Sequence, residues 1–226
     1  MCPHCDLRLP LGELKLRCRD VLHFSKLAVA GAYEHPMAKA TMDALKYESL
    51  RDLAEPLGQY LASAIRTQWP QIPRGAVLVP IPLHRARERE RGFNQSSLIA
   101  KACAIDLRLD VHDTLLKRTR HTKKQVGLPA SERKENIIGA FIADQADAKV
   151  TYILIDDVTT TGSTLREAAR ALRKAGAKTI WAATVAQGQD IHRQGTHPQP
   201  HLRRTLKTTM TPFEVSRFCV RVRRES

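Results

Sequence analysis

The chain has 226 residues and a formal net charge of +14, from 37 Lys and Arg against 23 Asp and Glu. With 42% hydrophobic residues it can bury a core, which excludes a chain that is disordered throughout. It contains no run of 18 apolar residues, which excludes a membrane-spanning helix. Its five cysteines, an odd number, do not suit a disulfide framework. We therefore expect a cytoplasmic protein without a signal peptide.

The excess of positive charge predicts anionic partners, such as nucleic acid, nucleotides or other phosphates. Basic residues are concentrated at 84–91 and 117–124, with a further excess in 190–226. Charge alone does not establish nucleic-acid binding. The composition divides the chain into an irregular cysteine-bearing segment at 1–25, a central domain at 26–189 and a basic tail at 190–226, which we expect to be poorly ordered.

Strands and helices alternate along the central domain, which predicts an α/β fold with a mostly parallel sheet and helices on both faces. The predicted strands are 26–33, 76–82, 151–155 and 179–185, and the predicted helices are 36–47, 50–66, 94–106 and 165–175. Residues 117–140 are polar and basic, which favours a long loop with a short helical piece at 131–136.

The turn at 156–164 carries the strongest functional signal. It follows a predicted buried strand and opens a helix, which is where open α/β sheets bind ligands and where free backbone amides suit a phosphate. Gly162 allows the main chain to approach an anion closely. Hydroxyl donors are supplied by Thr159, Thr160, Thr161, Ser163 and Thr164.

Two acids, Asp156 and Asp157, stand beside this phosphate-type turn. A phosphate would repel them unless they face sugar hydroxyls or a magnesium ion bridged by water, so a phosphorylated sugar satisfies both halves of the turn. The alternative is that the acids only cap a helix and the threonines line a solvated turn. The density of acids and hydroxyls favours a binding site. The turn is neither a P-loop, which needs Lys after its last glycine, nor a dinucleotide fingerprint, which needs three glycines.

The stretch 153–164 resembles the phosphoribosyl-pyrophosphate (PRPP) motif of type I phosphoribosyltransferases, and the chain as a whole resembles the ComF/GntX family of competence-associated proteins. The other segments that carry the resemblance are Leu45–Tyr47, Val79–His84, Arg91–Gln95 and Lys117–Phe141. The resemblance implies a type I phosphoribosyltransferase-like fold for 26–189. It also implies that Asp156 and Asp157 are the catalytic acids and that 159–164 bind the phosphate of PRPP.

Residues 80–84 take the place of the pyrophosphate loop in this resemblance, with Pro80, Ile81 and Pro82 followed by Arg91. A cis X-Pro bond here would turn backbone amides toward a diphosphate, and Arg91 could grip two of its oxygens. The prolines could equally serve only to end the strand.

Residues 117–136 resemble the flexible lid of these enzymes, which excludes water from the reacting sugar. Lys117, Arg118, Lys123 and Lys124 could contact the leaving diphosphate or a nucleic-acid backbone. They could also be exposed residues that do neither.

The cysteines Cys2, Cys5 and Cys18 resemble part of the family's amino-terminal zinc ribbon. Structural zinc takes four ligands, and the second Cys-x-x-Cys pair lacks its last cysteine. A fourth ligand from His4 or His23, a degraded ribbon with free thiols, or a chain start further upstream would each explain the pattern.

Two functions follow from the resemblance. The first is a protein that binds PRPP with Mg²⁺, or a phosphoribosyl end, and contacts single-stranded DNA and other competence proteins during DNA uptake in natural transformation. The second is an active Mg²⁺-dependent phosphoribosyltransferase that ribosylates a base; a PRPP sensor without turnover is a third option. A base-reading segment is not evident, because aromatic residues make up 5% of the chain and Tyr33, Tyr47, Phe93 and Trp181 suit core positions.

Overall fold

Five parallel strands form the central sheet in a computed structural model that describes residues 1–7, 10–47, 50–120 and 137–188. The strand order is β1-β7-β6-β2-β3. Their bounds are Leu27–Ala32 for β1, Val77–Pro80 for β2, Asp110–Val111 for β3, Thr151–Thr159 for β6 and Thr179–Gln187 for β7. A separate antiparallel pair consists of β4, Leu116–Arg118, and β5, Phe141–Ala143. The predicted helical piece at 131–136, Lys123, Lys124 and the predicted tail at 190–226 lie outside the described residues.

Helices cover both faces of the sheet, as the sequence predicts. They are α1 (Leu16–Leu22), α2 (Pro36–Tyr47), α3 (Ala54–Gln68), α4 (Arg85–Arg91), α5 (Gln95–Leu107) and α6 (Ser163–Lys174), with 3-10 turns at Pro10–Gly12 and Arg51–Leu53. One hydrophobic cluster joins α1 and α6 to the sheet, and Leu22 and Leu172 lie within it. The other joins α2, α3 and α5, with Met42, Leu61 and Ile99 fully buried.

The central strands β6 and β7 pair along most of their length, from Thr151 opposite Thr179 to Thr159 opposite Gln187. Both are buried at nearly every position, because helices shield the two faces of a parallel sheet. Because all five strands are parallel, their carboxyl ends meet at one edge of the sheet, which we call the carboxyl edge.

The first 25 residues are more regular than the sequence predicts, because Cys18 lies on the seven-residue helix α1. This helix ends at His23, whose φ of 63° is left-handed and whose amide donates to the carbonyl of Arg19. Two turns of helix are too short to show clear apolar periodicity, so the sequence did not reveal them. Cys18 and Leu22 are buried in the same cluster as α6, which packs the amino-terminal segment onto the sheet.

Candidate functional site

The two acids lie inside strand β6, whereas the sequence placed them in the turn after it. Aspartate is depleted in strands, which is why the predicted strand stopped at residue 155. Pairing with β7 overrides that preference, and Asp156 stands opposite Thr184 in the ladder. Both side chains are buried, at 8% exposure for Asp156 and 5% for Asp157. The turn that follows is therefore short, and α6 begins at Ser163.

Each acid is held by specific partners. Asp156 Oδ1 accepts hydrogen bonds from Ser96 Oγ at 3.1 Å and from the Asp157 amide at 2.9 Å. Asp157 Oδ1 accepts from the Val158 amide at 2.7 Å. Its Oδ2 forms an ion pair with Lys46 Nζ at 2.6 Å. Lys46 comes from the last turn of α2 and Ser96 from the first turn of α5, so three elements meet at the acid pair.

Burial acts on both acids in the same direction, and Lys46 separates their protonation states. Burial, and next the neighbouring charge of Asp157, raise the pKa of Asp156 to about 8. Burial also acts to raise the pKa of Asp157, but the charge and hydrogen bond of Lys46 outweigh it and lower that pKa. Burial acts to lower the pKa of Lys46, and the charge of Asp157 outweighs it, so the Lys46 pKa is raised. Near neutral pH the site therefore holds a charged Asp157, a charged Lys46 and a largely protonated Asp156.

The hydroxyl-rich turn joins the end of β6 to the start of α6. Gly162 adopts φ 71° and ψ 9°, a left-handed conformation that glycine tolerates, and it stands at the start of α6. Thr161 Oγ1 and Ser163 Oγ are 2.7 Å apart, and the Ser163 amide donates to Thr161 Oγ1 at 3.3 Å. Thr159 is buried, whereas Thr160 and Thr164 are half-buried. The turn thus places a set of hydroxyl side chains directly after the acid pair.

The predicted diphosphate loop lies at the same edge, because the Ile81 amide donates to the Ile155 carbonyl on β6 at 2.9 Å. That bond engages the Ile81 amide within the fold, and the Ile81 carbonyl accepts from Asn94 Nδ2 at 3.0 Å. The peptide bonds of the described residues are all trans, so no cis X-Pro bond turns this loop. Pro80 ends β2, and the half-buried Pro82 follows it.

Arg91 is the last residue of α4, and its Nη1 donates to Oε1 of Gln95, the first residue of α5, at 2.9 Å. Asn94 caps α5, with Oδ1 accepting from the Ser96 amide at 3.1 Å. The side chain of Asn94 therefore links the loop after β2 to the helix that carries Ser96.

Two of the four basic residues named for the predicted lid, Lys117 and Arg118, lie in the described strand β4, and their environments differ. Lys117 is exposed and forms an ion pair with Asp144, 2.7 Å from Nζ to Oδ2. Arg118 is half-buried, and its guanidinium lies 5.5 Å from the centre of the Phe141 ring. Burial, and next the charge of Arg87, lower the pKa of Arg118 to about 10, while the charge of Asp156 acts to raise it. Arg118 therefore lies within electrostatic reach of the acid pair.

The three amino-terminal cysteines lie together. Their sulfur atoms are all within 4.8 Å of one another, and those of Cys5 and Cys18 are 3.4 Å apart. The His4 amide points at Cys2 Sγ, 3.4 Å away, an arrangement that stabilises a metal-bound thiolate. Among the described residues, the cluster that could hold a metal consists of these thiols and includes neither His4 nor His23.

The cysteine segment also touches the phosphate-type turn. A Cβ built on Gly162 would lie 2.8 Å from Pro3 Cγ and 3.7 Å from Leu22 Cδ2. Gln187 Nε2, at the end of β7, donates to the Met1 carbonyl at 3.1 Å. The cysteine cluster is thus part of the carboxyl edge, a relationship that the sequence did not reveal.

Sequence reasoning also missed two residues that hold the acid pair, Lys46 and Ser96. Ser96 could have been found, because a helix that follows β2 and its loop must begin near the carboxyl edge. Lys46 lies in the segment Leu45–Tyr47 that carries the family resemblance, but its place at the far end of α2 from the preceding strand gave no sign that it meets the acids.

A parallel sheet whose central strand carries a buried acid pair, followed by a hydroxyl-rich turn at a helix start, defines a phosphoribosyltransferase-type domain. The family model described as "Phosphoribosyl transferase domain" matches residues 98–222. That match covers more than half of the chain and includes the acid pair and the turn.

Sequence similarity to individual proteins identifies the family within this class of domain. The chain is 30% identical over 190 residues to Competence protein F of Haemophilus influenzae, across 79% of this chain and 81% of that protein. It is 30% identical over 188 residues to DNA utilization protein YhgH of Escherichia coli K12, across 80% and 81%. With Competence protein ComFC of Bacillus subtilis the identity is 30% over 165 residues, across 72% and 64%. The chain belongs to the ComF family of phosphoribosyltransferase-domain proteins. None of the helices in the described part of the chain combines the length and apolarity needed to cross a bilayer.

Proposed function

We propose that the chain binds PRPP, or another ligand that ends in a phosphoribosyl group, at the carboxyl edge. The observation that carries this proposal is the adjacency of the buried acid pair on β6 to the hydroxyl-rich turn at the start of α6. The turn offers amide and hydroxyl donors to a phosphate, and the acids offer oxygens to pentose hydroxyls. A single ligand that carries both a phosphate and a pentose would use both the turn and the acid pair.

Magnesium would arrive with such a ligand and neutralise its diphosphate. Within the described residues, the thiols of the amino-terminal segment are the one cluster of three or more metal-ligating side chains. The described part of the carboxyl edge holds no such cluster besides these thiols, and the diphosphate oxygens would hold the ion in this proposal. Pro82 and Arg91, which follow β2 in the chain, would meet that diphosphate in this proposal.

We propose a role in DNA uptake, because the relatives are named as competence and DNA utilization proteins. Single-stranded DNA would meet the basic residues near the carboxyl edge. On α4, Arg85 and Arg89 are exposed and lie one turn apart on one side of the helix. The predicted lid contributes Lys123 and Lys124 to the same proposal. None of the described cysteines forms a disulfide, which suits the cytoplasm as the compartment.

Binding without base transfer agrees better than turnover does with the burial of two aromatic residues, Phe93 and Trp181. Phe93 and Trp181 are buried at 7% and 6% exposure, and Tyr33 packs partly against the same cluster. A base pocket stacks its ligand on accessible rings, and these rings are used in the core. An active transferase would need its base-reading groups elsewhere.

Titration calorimetry with Mg²⁺–PRPP tests the proposed ligand. The unaltered protein should bind it, and Asp156→Asn combined with Asp157→Asn should reduce the affinity at least tenfold. Asp110→Asn is the matched control, because Asp110 is exposed at the start of β3, at the opposite edge of the sheet. Absence of binding by the unaltered protein would overturn the proposal. Release of diphosphate with any member of a nucleobase panel would replace the binding function by the transferase function.

A further inference from the structure

Lys46 is the feature of this site that the phosphoribosyl ligand does not explain. Its ammonium lies 2.6 Å from Asp157 Oδ2, and the side chains of the two residues are 17% and 7% exposed. The ion pair joins the last turn of α2 to the acid pair on β6. An ammonium in this position competes with whatever else would approach Asp157.

The acid pair has little left to offer a metal ion. Asp157 Oδ1 is bonded to the Val158 amide, Asp157 Oδ2 to Lys46, and Asp156 Oδ1 to Ser96 and the Asp157 amide. Three carboxylate oxygens are therefore engaged within the chain. Magnesium requires oxygen ligands in a near-ideal octahedron at about 2.0–2.1 Å, and it gives up its waters reluctantly. To bind Asp157 Oδ2 directly, it would have to displace the ammonium and then lie beside that displaced charge.

The charges at the site also disfavour direct binding of a divalent cation. Burial raises the pKa of Asp156 to about 8, so this acid is largely protonated at neutral pH. The remaining charges of Asp157 and Lys46 cancel. A site with no net charge has weak attraction for a divalent cation, but it still presents oxygens to hydroxyl donors.

We propose that Lys46 sets the selectivity of the acid pair, reserving it for the uncharged hydroxyl groups of a pentose and preventing a divalent cation from binding there directly. The identity of those hydroxyl groups rests on the proposed function; the exclusion of the cation does not. Lys46 is a positioning residue in this proposal, because it acts through Asp157.

Binding of Mn²⁺ alone, followed by electron paramagnetic resonance of the free ion at pH 7.5, tests the exclusion. The unaltered protein and Asp157→Asn should bind Mn²⁺ equally weakly, because Asp157 is occupied. Lys46→Met should gain one Mn²⁺ site with at least tenfold higher affinity than the unaltered protein. The double variant Lys46→Met with Asp157→Asn should lose that site, and Lys46→Arg, which keeps the charge, should behave as the unaltered protein.

Two outcomes would overturn the inference. The first is Mn²⁺ binding by the unaltered protein that a folded Asp157→Asn variant, judged by its thermal melt, lacks; this comparison does not depend on the folding of any Lys46 variant. The second is a folded Lys46→Met variant, judged by its thermal melt, that gains no Mn²⁺ site. The Mg²⁺–PRPP titration remains a separate measurement. If PRPP binds and Lys46→Met gains no Mn²⁺, the inference alone fails; if PRPP does not bind, the proposed function fails while the Mn²⁺ result stands.

Discussion

Pro3 packs on Gly162, with Pro3 Cγ 2.8 Å from the point where a Cβ on Gly162 would lie. Two segments that are separated by most of the chain therefore meet at the phosphate-type turn. Glycine is required at residue 162 for two reasons, a left-handed φ of 71° and the absence of space for a side chain.

Gly162→Ala should destabilise the protein more than Gly75→Ala does. Gly75 has a similar φ of 74°, but a methyl group added there would meet no atom within 4 Å. The stability lost in Gly75→Ala therefore measures the backbone strain alone, about 1–2 kcal/mol. The excess loss at Gly162 measures the contact with Pro3, and Pro3→Gly combined with Gly162→Ala should recover part of it. Urea unfolding provides the measurement. Equal losses at the two glycines would contradict this contact.

Asp157→Asn should cost more stability than Asp156→Asn. Loss of the Asp157 charge leaves the Lys46 ammonium buried without its counter-ion, and breaking such a pair costs about 3–5 kcal/mol. An amide at residue 156 can still accept from Ser96. Adding Lys46→Met to Asp157→Asn should restore most of the loss, which a double-mutant cycle by chemical denaturation would measure. Simple additivity of the two losses would mean that the ion pair does not form.

The Asp156 carboxyl should make stability depend on pH. Its folded pKa of about 8 lies above the unfolded value of about 3.9, so between these values the folded state holds a proton that the unfolded state has released. Its contribution to stability therefore falls as the pH rises from about 4 to 8, by at most about 1.4 kcal/mol per pH unit, and is constant above that. Asp156→Asn should remove this slope. Denaturation curves of both proteins at pH 5, 6.5 and 8 provide the check, and parallel pH profiles would refute it.

Zinc content should depend on the cysteine cluster. We expect about one zinc per chain in the unaltered protein, held by Cys2, Cys5 and Cys18, because their sulfur atoms lie close enough to share a tetrahedral ion. Cys18→Ser should lose it. Cys103→Ser, a change at a fully buried thiol on α5 that is not part of the cluster, should keep it. Metal analysis of the purified proteins decides between this site and free thiols, and a zinc-free unaltered protein would establish the latter.

Single-stranded DNA should be retarded in a gel-shift assay, and the shift should weaken as salt rises. Lys123→Ala with Lys124→Ala should weaken it. The control removes the same charge elsewhere, with Lys149→Ala and Lys178→Ala, two exposed residues that precede β6 and β7 at the opposite edge of the sheet. Equal effects of the two double variants would indicate a contribution of overall charge and not of the predicted lid.

Local signals in the sequence predicted most of the fold. Helix α2 has the predicted limits, because Pro36 suits a helix start and an apolar stripe follows it. The parallel arrangement followed from buried apolar runs separated by helices. The strand β6 was predicted four residues too short, because its last part is acidic and is held in the sheet by pairing with β7.

The acid pair and its turn were predictable because both lie in one continuous stretch of sequence. Their partners were not, because those contacts join distant parts of the chain. Ser96 lies 60 residues from Asp156 in sequence, and Pro3 meets Gly162 only after the amino-terminal segment packs on the sheet. Apolar periodicity carries information about which face of an element is buried, but not about which polar side chains meet at its end.

Asn94 gives the carboxyl edge a further property. Through one amide side chain it fastens the Ile81 carbonyl and the first turn of α5, so the loop after β2 and the helix that bears Ser96 share a single anchor. Groups that are fixed before a ligand arrives lose little conformational entropy when it binds. The rim of the site is in this sense preorganised, and its affinity for a small ligand would reflect order that was already established when the chain folded.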